Sequence, residues 1–207
     1  MNSSSQPAPL TGGALVAGTV ALSLATFMNV LDTSIANVSL SSIAGDLGVS
    51  PEQGTWVITS FGVANAISLP LTGWLSQRYG QVKLFIASIL LFVLASLACG
   101  FAPSIELLIF FRIVQGAVAG PMIPLSQTLL LSTYPKEKAG TALAMWSITT
   151  LVAPVMGPLL GGWLTDNFSW PWIFYINVPV GLAAAAATWT IYRRRETQTR
   201  KLPIDKV

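Results

Sequence analysis

Two residues in this chain have the wrong chemistry for their surroundings. Asp32 lies in FMNVLDTSIANVSL and Arg112 in LLIFFRIVQGAVAGPMIP, each set well inside an apolar run. On insertion scales an arginine at the centre of a spanning helix costs about 2.5–3.5 kcal/mol, so something must compensate it. An opposite charge at the same depth can do that. Such a pair is poor evidence for stability, because desolvation can exceed the Coulomb gain. Two readings stand side by side: a static salt bridge that orders the chain, or a carboxylate that binds a proton or a cationic substrate and releases Arg112 as it does so.

Six stretches are long and apolar enough to position these residues in a bilayer, roughly 14–40, 54–75, 83–101, 105–131, 139–163 and 172–192. The breaks GDLGVSPEQG, SQRYGQ, GFAPS, YPKEK and TDNFSWP carry turn chemistry, and connections this short make neighbouring helices antiparallel. Lys and Arg accumulate in cytoplasmic loops. Arg78 and Lys83 lie in the second connection, Lys136 and Lys138 in the fourth, and Arg193, Arg194, Arg195, Arg200, Lys201 and Lys206 in the tail. Both termini are therefore expected in the cytoplasm, with 1–13 a cytoplasmic segment, 14–192 the six-helix domain and 193–207 a basic tail or linker. With about 1.5 Å of rise per residue, Asp32 and Arg112 each sit about 10–12 Å below the outer boundary. Equal depth makes pairing possible.

Each charge also lies on a polar or small stripe. Asn29, Asp32, Thr33, Ala36 and Asn37 share one arc of the first helix; Arg112, Gln115, Gly116, Ala119 and Ser126 share one of the fourth; Asn65, Ser68 and Thr72 share one of the second. Three such stripes predict helices facing a shared, partly wet cavity, lined by Asn29, Thr33, Asn65, Ser68 and Gln115.

Composition agrees and excludes alternatives. Only 9% of the 207 residues are charged, against about 25% in a soluble domain, while 53% are hydrophobic. The chain belongs in the lipid bilayer. No histidine and a single cysteine leave no ordinary zinc or haem site and no internal disulfide, so no cofactor is expected. Cys99, in LASLACGF, reads first as a small buried hydrophobe and second as a reactive thiol. No serine or cysteine has an evident base partner, which argues against an intramembrane enzyme. MNSSSQPAPLTGG lacks the basic start of a cleavable signal peptide, so the first helix is expected to stay in the protein.

Two further patterns bear on architecture. GWLSQRYGQVKLF (73–85) and GWLTDNFSWPWIF (162–174) echo each other on opposite sides of the membrane, as an inverted three-plus-three repeat would place them. TTLVAPVMGPLLGGWL (149–164) puts Pro154 and Pro158 inside the fifth helix, where each removes an amide donor and predicts a kink. Ala153, Gly157 and Gly161, at intervals of four, form a groove for close helix contact. That helix either packs tightly and no more, or seals one mouth of a cavity.

Together these stretches resemble the major facilitator superfamily, in particular the fourteen-helix drug:proton antiporters of the EmrB multidrug-export type. LDTSIANVSL resembles its first-helix motif, GWLSQRYGQVK its loop 2–3 signature, FFRIVQGAVAGP its fourth-helix motif and APVMGPLLGG its antiporter motif. QGTWVITSFGVANAIS and WIFYINVPVG also read as this subfamily. The resemblance implies an all-α, six-transmembrane-helix amino-terminal half of a major-facilitator bundle, residing in the cell inner membrane. It implies export of hydrophobic or amphipathic drug-like compounds in exchange for protons. Asp32 and Arg112 become the proton-coupling pair; Gly73, Arg78 and Gly80 become gating positions of the loop; Gly157, Pro158, Gly161 and Gly162 become the antiporter motif. A periplasmic adaptor protein is an implied partner, and nucleic acid is not.

One departure is notable. The loop motif usually carries an aspartate where this chain has Gln77, and Gln81 and Val82 replace its usual basic pair. Transporters of this kind need two six-helix halves, and this chain supplies one. A missing C-terminal half is the first expectation and a second copy the alternative; a non-transporting membrane fragment that only binds a partner is a different reading. The tail RRRETQTRKLPIDKV resembles the start of a linker. Its basic cluster would also hold an anionic leaflet, at about 1 kcal/mol per residue.

Overall fold

The computed structural model describes residues 10–196 and residue 199, so positions 1–9 and most of the tail, including Arg200, Lys201 and Lys206, lie outside the described residues. Among the described residues six spans are long and apolar enough to cross a membrane: Gly12–Val38, Pro51–Tyr79, Gln81–Gly100, Ile105–Thr133, Lys136–Asn167 and Trp172–Tyr192. There is no strand among the described residues. The chain is an all-α, multi-pass membrane protein.

The boundaries show where local chemistry outweighs hydropathy. The first span starts at Gly12, two residues ahead of the apolar run. The expected first loop is mostly helical: Leu40–Asp46 adds two turns, and Pro51–Gly54 begins on a capping box in which Ser50 and Gln53 bond each other's backbone N–H. Ser104 caps the fourth span by accepting from the Leu107 N–H at 3.4 Å. Gly80, at φ +92°, turns the chain from the second span into the third, a conformation L side chains avoid. A short 3₁₀ turn, Leu69–Leu71, interrupts the second span at Pro70. By contrast Ala139–Asn167 runs as one helix through both Pro154 and Pro158. The prolines remove donors there without breaking the helix.

Packing follows a reciprocal pattern. The first span packs on the fifth as the second does on the fourth, and the first on the sixth as the third does on the fourth; the third and sixth pack on each other. Exchanging spans one to three with four to six maps this set onto itself, as an inverted repeat requires. Two apolar clusters result. One gathers Leu22, Met28, Phe85, Phe92, Met122 and Tyr192; the other gathers Ile35, Val57, Cys99, Leu108, Ile173 and Phe174. Along the first, third, fourth and sixth spans the changeover between clusters falls at Asn29–Asp32, Ser96, Arg112–Gln115 and Asn177. The polar residues form a layer where the two clusters meet.

Burial is uneven. In the most apolar stretch of each span, 56% of the first and third is buried, against 28% of the second and 17% of the fifth. Ile67 and Leu71 on the second span and Ile148, Leu151, Val155 and Leu159 on the fifth are exposed.

Candidate functional site

Asp32 and Arg112 meet. Arg112 Nη1 donates to Asp32 Oδ2 at 2.6 Å, with Asp32 2% exposed and Arg112 fully buried. Gly116 lies one turn beyond Arg112 and faces the second span. A Cβ there would overlap the Phe61 carbonyl, so only glycine lets the fourth span press against the second. The arginine then runs along the second span, where Nε donates to the Val57 carbonyl at 3.0 Å. Its guanidinium lies 4.2 Å from the Phe61 ring centroid and 5.6 Å from that of Phe174, a cation–π setting that replaces part of the lost hydration. Nη2 has no hydrogen-bond partner.

Two amides complete the carboxylate's shell. Gln115 accepts from Arg112 Nη1 at 2.8 Å through Oε1 and donates through Nε2 to Asp32 Oδ1 at 3.2 Å. Asn177 Nδ2 donates to Asp32 Oδ1 at 2.7 Å and to Ser96 Oγ at 2.9 Å; Ser96 in turn donates to the Phe174 carbonyl at 2.9 Å. Five spans thus contribute to one buried cluster carrying one negative and one positive charge. Cys99 Sγ lies 3.6 Å from Gln115 Oε1 as a weak donor, buried among apolar neighbours. Arg112, Gln115 and Asn177 each present a donor to the Asp32 carboxylate. Among the described residues no three His, Cys, Asp or Glu side chains converge as metal ligands would.

The residues expected on a shared wet cavity differ in exposure. Asn29 and Gln115 are buried, and Thr33 and Asn65 are half-buried. The Thr33 hydroxyl donates back to Asn29 and Val30 of its own helix. Ser68 alone of the five lines an apolar groove of about 530 Å³ between the second and fourth spans, with Trp56, Val63, Ile67, Ile109 and Ile113. Along this seam the two spans approach closely: a Cβ on Gly120 would overlap Ser68 just as one on Gly116 would overlap Phe61.

At the loop between second and third spans, a Cβ on Gly73 would meet nothing, while one on Gly80 would overlap the Glu196 carboxylate. Glu196 accepts from the backbone N–H of Val82 at 3.1 Å and of Lys83 at 2.9 Å, at the start of the third span. The Arg78 guanidinium lies over Trp74 at 5.1 Å and Tyr79 at 5.8 Å, and Gln77 is exposed. On the fifth span, a Cβ on Gly157 would overlap Ser34 and one on Gly161 would press on Ile35, whereas Gly162 faces open space and Pro158 is exposed.

Asn177, Ser96 and Ser34 were missing from the residues singled out in the sequence. The signal for Asn177 was present, since an asparagine in the apolar run WIFYINVPVG is the same kind of anomaly as Asp32. The serines carry no such signal, because a serine satisfies itself within its own helix.

Residues 22–206 match the family description Major Facilitator Superfamily. The chain is 61% identical over 206 residues to the multidrug export protein EmrB of Haemophilus influenzae, covering 100% of this chain and 40% of that protein. It is 60% identical over 202 residues to EmrB of Escherichia coli (98% and 40%), and 56% identical over 199 residues to the fatty acid resistance protein FarB of Neisseria gonorrhoeae (96% and 39%). The chain thus spans about 40% of the length of these relatives. In fold it resembles the proton:xylose symporter XylE, with a TM-score of 0.76 at 13% identity over 89% of this chain and 47% of that one. A bacterial homologue of the lysosomal transporter Spinster gives 0.72 at 19% identity, over 95% and 47%. Motifs, buried charge pair and fold agree, and the chain belongs to the Major Facilitator Superfamily.

Proposed function

We propose that this chain is one half of an inner-membrane exporter that moves hydrophobic or amphipathic drug-like compounds outward in exchange for protons. The observation that carries this reading is the fully buried Arg112–Asp32 contact at 2.6 Å, set in a fold whose relatives include multidrug export proteins. A proton arriving at Asp32 removes the negative charge that holds Arg112. Arg112 is then buried with only neutral acceptors, the Val57 carbonyl and Gln115, and no counter-charge, a state that movement relieves. That is a two-state element a pH gradient can drive.

Several parts of the reading extend from this pair. The basic residues Arg78, Lys83, Lys136 and Lys138 favour cytoplasmic termini. The exposed apolar faces of the second and fifth spans are where a second six-helix body would sit, either the remaining length seen in the relatives or a second copy. Gly157, Pro158, Gly161 and Gly162 would form part of that seam. Gly73, Arg78 and Gly80 would gate the cytoplasmic side. A periplasmic adaptor protein is a further partner in this scheme.

The test is dye efflux from proteoliposomes under an imposed pH gradient, with the chain joined to a second six-helix half. Asp32→Asn should abolish gradient-driven efflux while leaving membrane insertion intact. Normal efflux from that variant would remove Asp32 from the mechanism. A chain that binds its partner half but moves no dye in the unmutated form would favour the non-transporting alternative.

A further inference from the structure

The buried cluster contains an asymmetry between its two amides. Gln115 sits three residues from Arg112 on the same span, and its Oε1 is committed to Arg112 Nη1 at 2.8 Å. Asn177 comes from the sixth span, and its only bond to a charge is the one to Asp32. Its orientation is set by a chain of donors. The Ser96 proton goes to the Phe174 carbonyl, so Ser96 Oγ can only accept from Asn177, which must present Nδ2. The same Nδ2 supplies its second proton to Asp32 Oδ1 at 2.7 Å.

We infer that Asn177 is a positioning residue that links the ionised form of Asp32 to Ser96, a latch joining the first, third and sixth spans at one point, and that protonation of Asp32 opens the Asn177–Ser96 side of this latch. The inference rests on the reading of Asp32 as the proton-binding group and adds what the proton moves. A proton taken from the aqueous phase can add to Oδ2 or to Oδ1. At Oδ2 it would confront Arg112, which has no acceptor to offer. At Oδ1 it confronts two neutral amides. The new O–H needs an acceptor, so one amide must turn its oxygen inward. Gln115 can do so only by giving up Arg112. Asn177 gives up one neutral bond, to Ser96, and is the amide that yields. Its turn breaks the Asn177–Ser96 bond and exchanges the bond donated to Asp32 for one accepted from it, while Ser96 still donates to the Phe174 carbonyl and Tyr175 to the Gly100 carbonyl.

No competing charge lies within the layer. Asp32 and Arg112 are the only charged side chains buried among the described residues. Around Asp32 the second span presents the Val57 carbonyl and Phe61 to the arginine, the third Ser96 and the Cys99 thiol, the fourth Arg112 and Gln115, and the sixth Asn177 and Phe174. The fifth packs Gly157 and Gly161 on Ser34 and Ile35. Cys99 is the other titratable group in contact, and it bonds Gln115 rather than Asp32.

The experiment uses the chain in lipid nanodiscs, with two readouts across a pH series. Infrared spectra of carboxyl-labelled aspartate follow the Asp32 carboxylate band, identified by its loss in Asp32→Asn. Hydrogen exchange follows the backbone amides of residues 173–181. In the unmutated chain, loss of the band should coincide with exchange at least about tenfold faster in that segment. In Asn177→Leu the segment should exchange fast at every pH while the Asp32 band still responds to acid. If Asn177→Leu does not fold, Ser96→Ala replaces it; it frees Asn177 from its anchor and should blunt the pH-dependent change in exchange. Unchanged exchange as the band disappears overturns the latch and leaves Asp32 as the proton site. A band that never disappears overturns both.

Discussion

Ser34 donates from Oγ to the carbonyl of Pro154, 3.3 Å away on the fifth span. That carbonyl is available because residue 158, four positions on, is a proline with no N–H to offer it. A first-span serine therefore supplies what the Pro-Gly sequence takes away. The close approach is possible because Gly157 carries no side chain at the crossing.

Replacing these residues should separate bonding from packing. Ser34→Ala is expected to cost about 0.5–1 kcal/mol, in the range of interhelical bonds in membranes. Gly157→Ala is expected to cost more, about 1–3 kcal/mol, since its Cβ would meet Ser34 backbone as well as side chain. Thermal unfolding in detergent measures both. Equal losses would mean that the crossing is looser than described.

Gly161 and Gly162 are adjacent in sequence and opposite in consequence. Gly161→Ala should destabilise the chain by pressing on Ile35, whereas Gly162→Ala should leave its unfolding curve unchanged, because a Cβ there meets nothing. If a second body covers the fifth span, Gly162→Ala should instead weaken association, measured by cross-linking yield with the second half. A drop in the stability of the isolated chain would count against this division.

Removing one partner of the charge pair should cost far more than removing both. Arg112→Leu leaves Asp32 buried with an amide shell but no counter-charge, for an expected loss of about 3–5 kcal/mol. The double variant Asp32→Asn with Arg112→Leu should recover much of that loss. Folded yield and denaturant midpoint give the comparison. If the double variant is as poor as the sum of the two single ones, the pair is not coupled as the 2.6 Å contact implies.

At the start of the third span, Glu196 places a carboxylate on the N–H groups of Val82 and Lys83. A negative charge at a helix start is worth about 0.3–1 kcal/mol at low ionic strength. Glu196→Gln should therefore speed exchange of those two amides, and the difference from the unmutated chain should shrink as salt is raised. A salt-independent difference would point to hydrogen bonding alone.

Much of the scaffold was legible from residue types. Six apolar runs of spanning length, with basic residues restricted to alternate connections, suffice to mark six helices because a bilayer admits few other structures. The loop between the first two spans was harder. GDLGVSPEQG is rich in turn formers, yet Ser50 and Gln53 reciprocally cap a new helical turn inside it. The prolines at 154 and 158 sit inside one helix, and a neighbouring span supplies a donor to the freed Pro154 carbonyl that no local pattern can announce.

The charge pair divides the same way. By itself the sequence determined that Asp32 and Arg112 had to find compensation, because hydrocarbon offers neither of them a partner, and helical rise put them at one depth. Only the tertiary structure decided the form of that compensation. The missing side chain at Gly116 lets the second and fourth spans come close, with the Val57 carbonyl and the Phe61 ring against the guanidinium. Asn177 and Ser96 joined the shell because the sixth span crosses the first and third at that level, a consequence of packing among four helices that no single helix encodes.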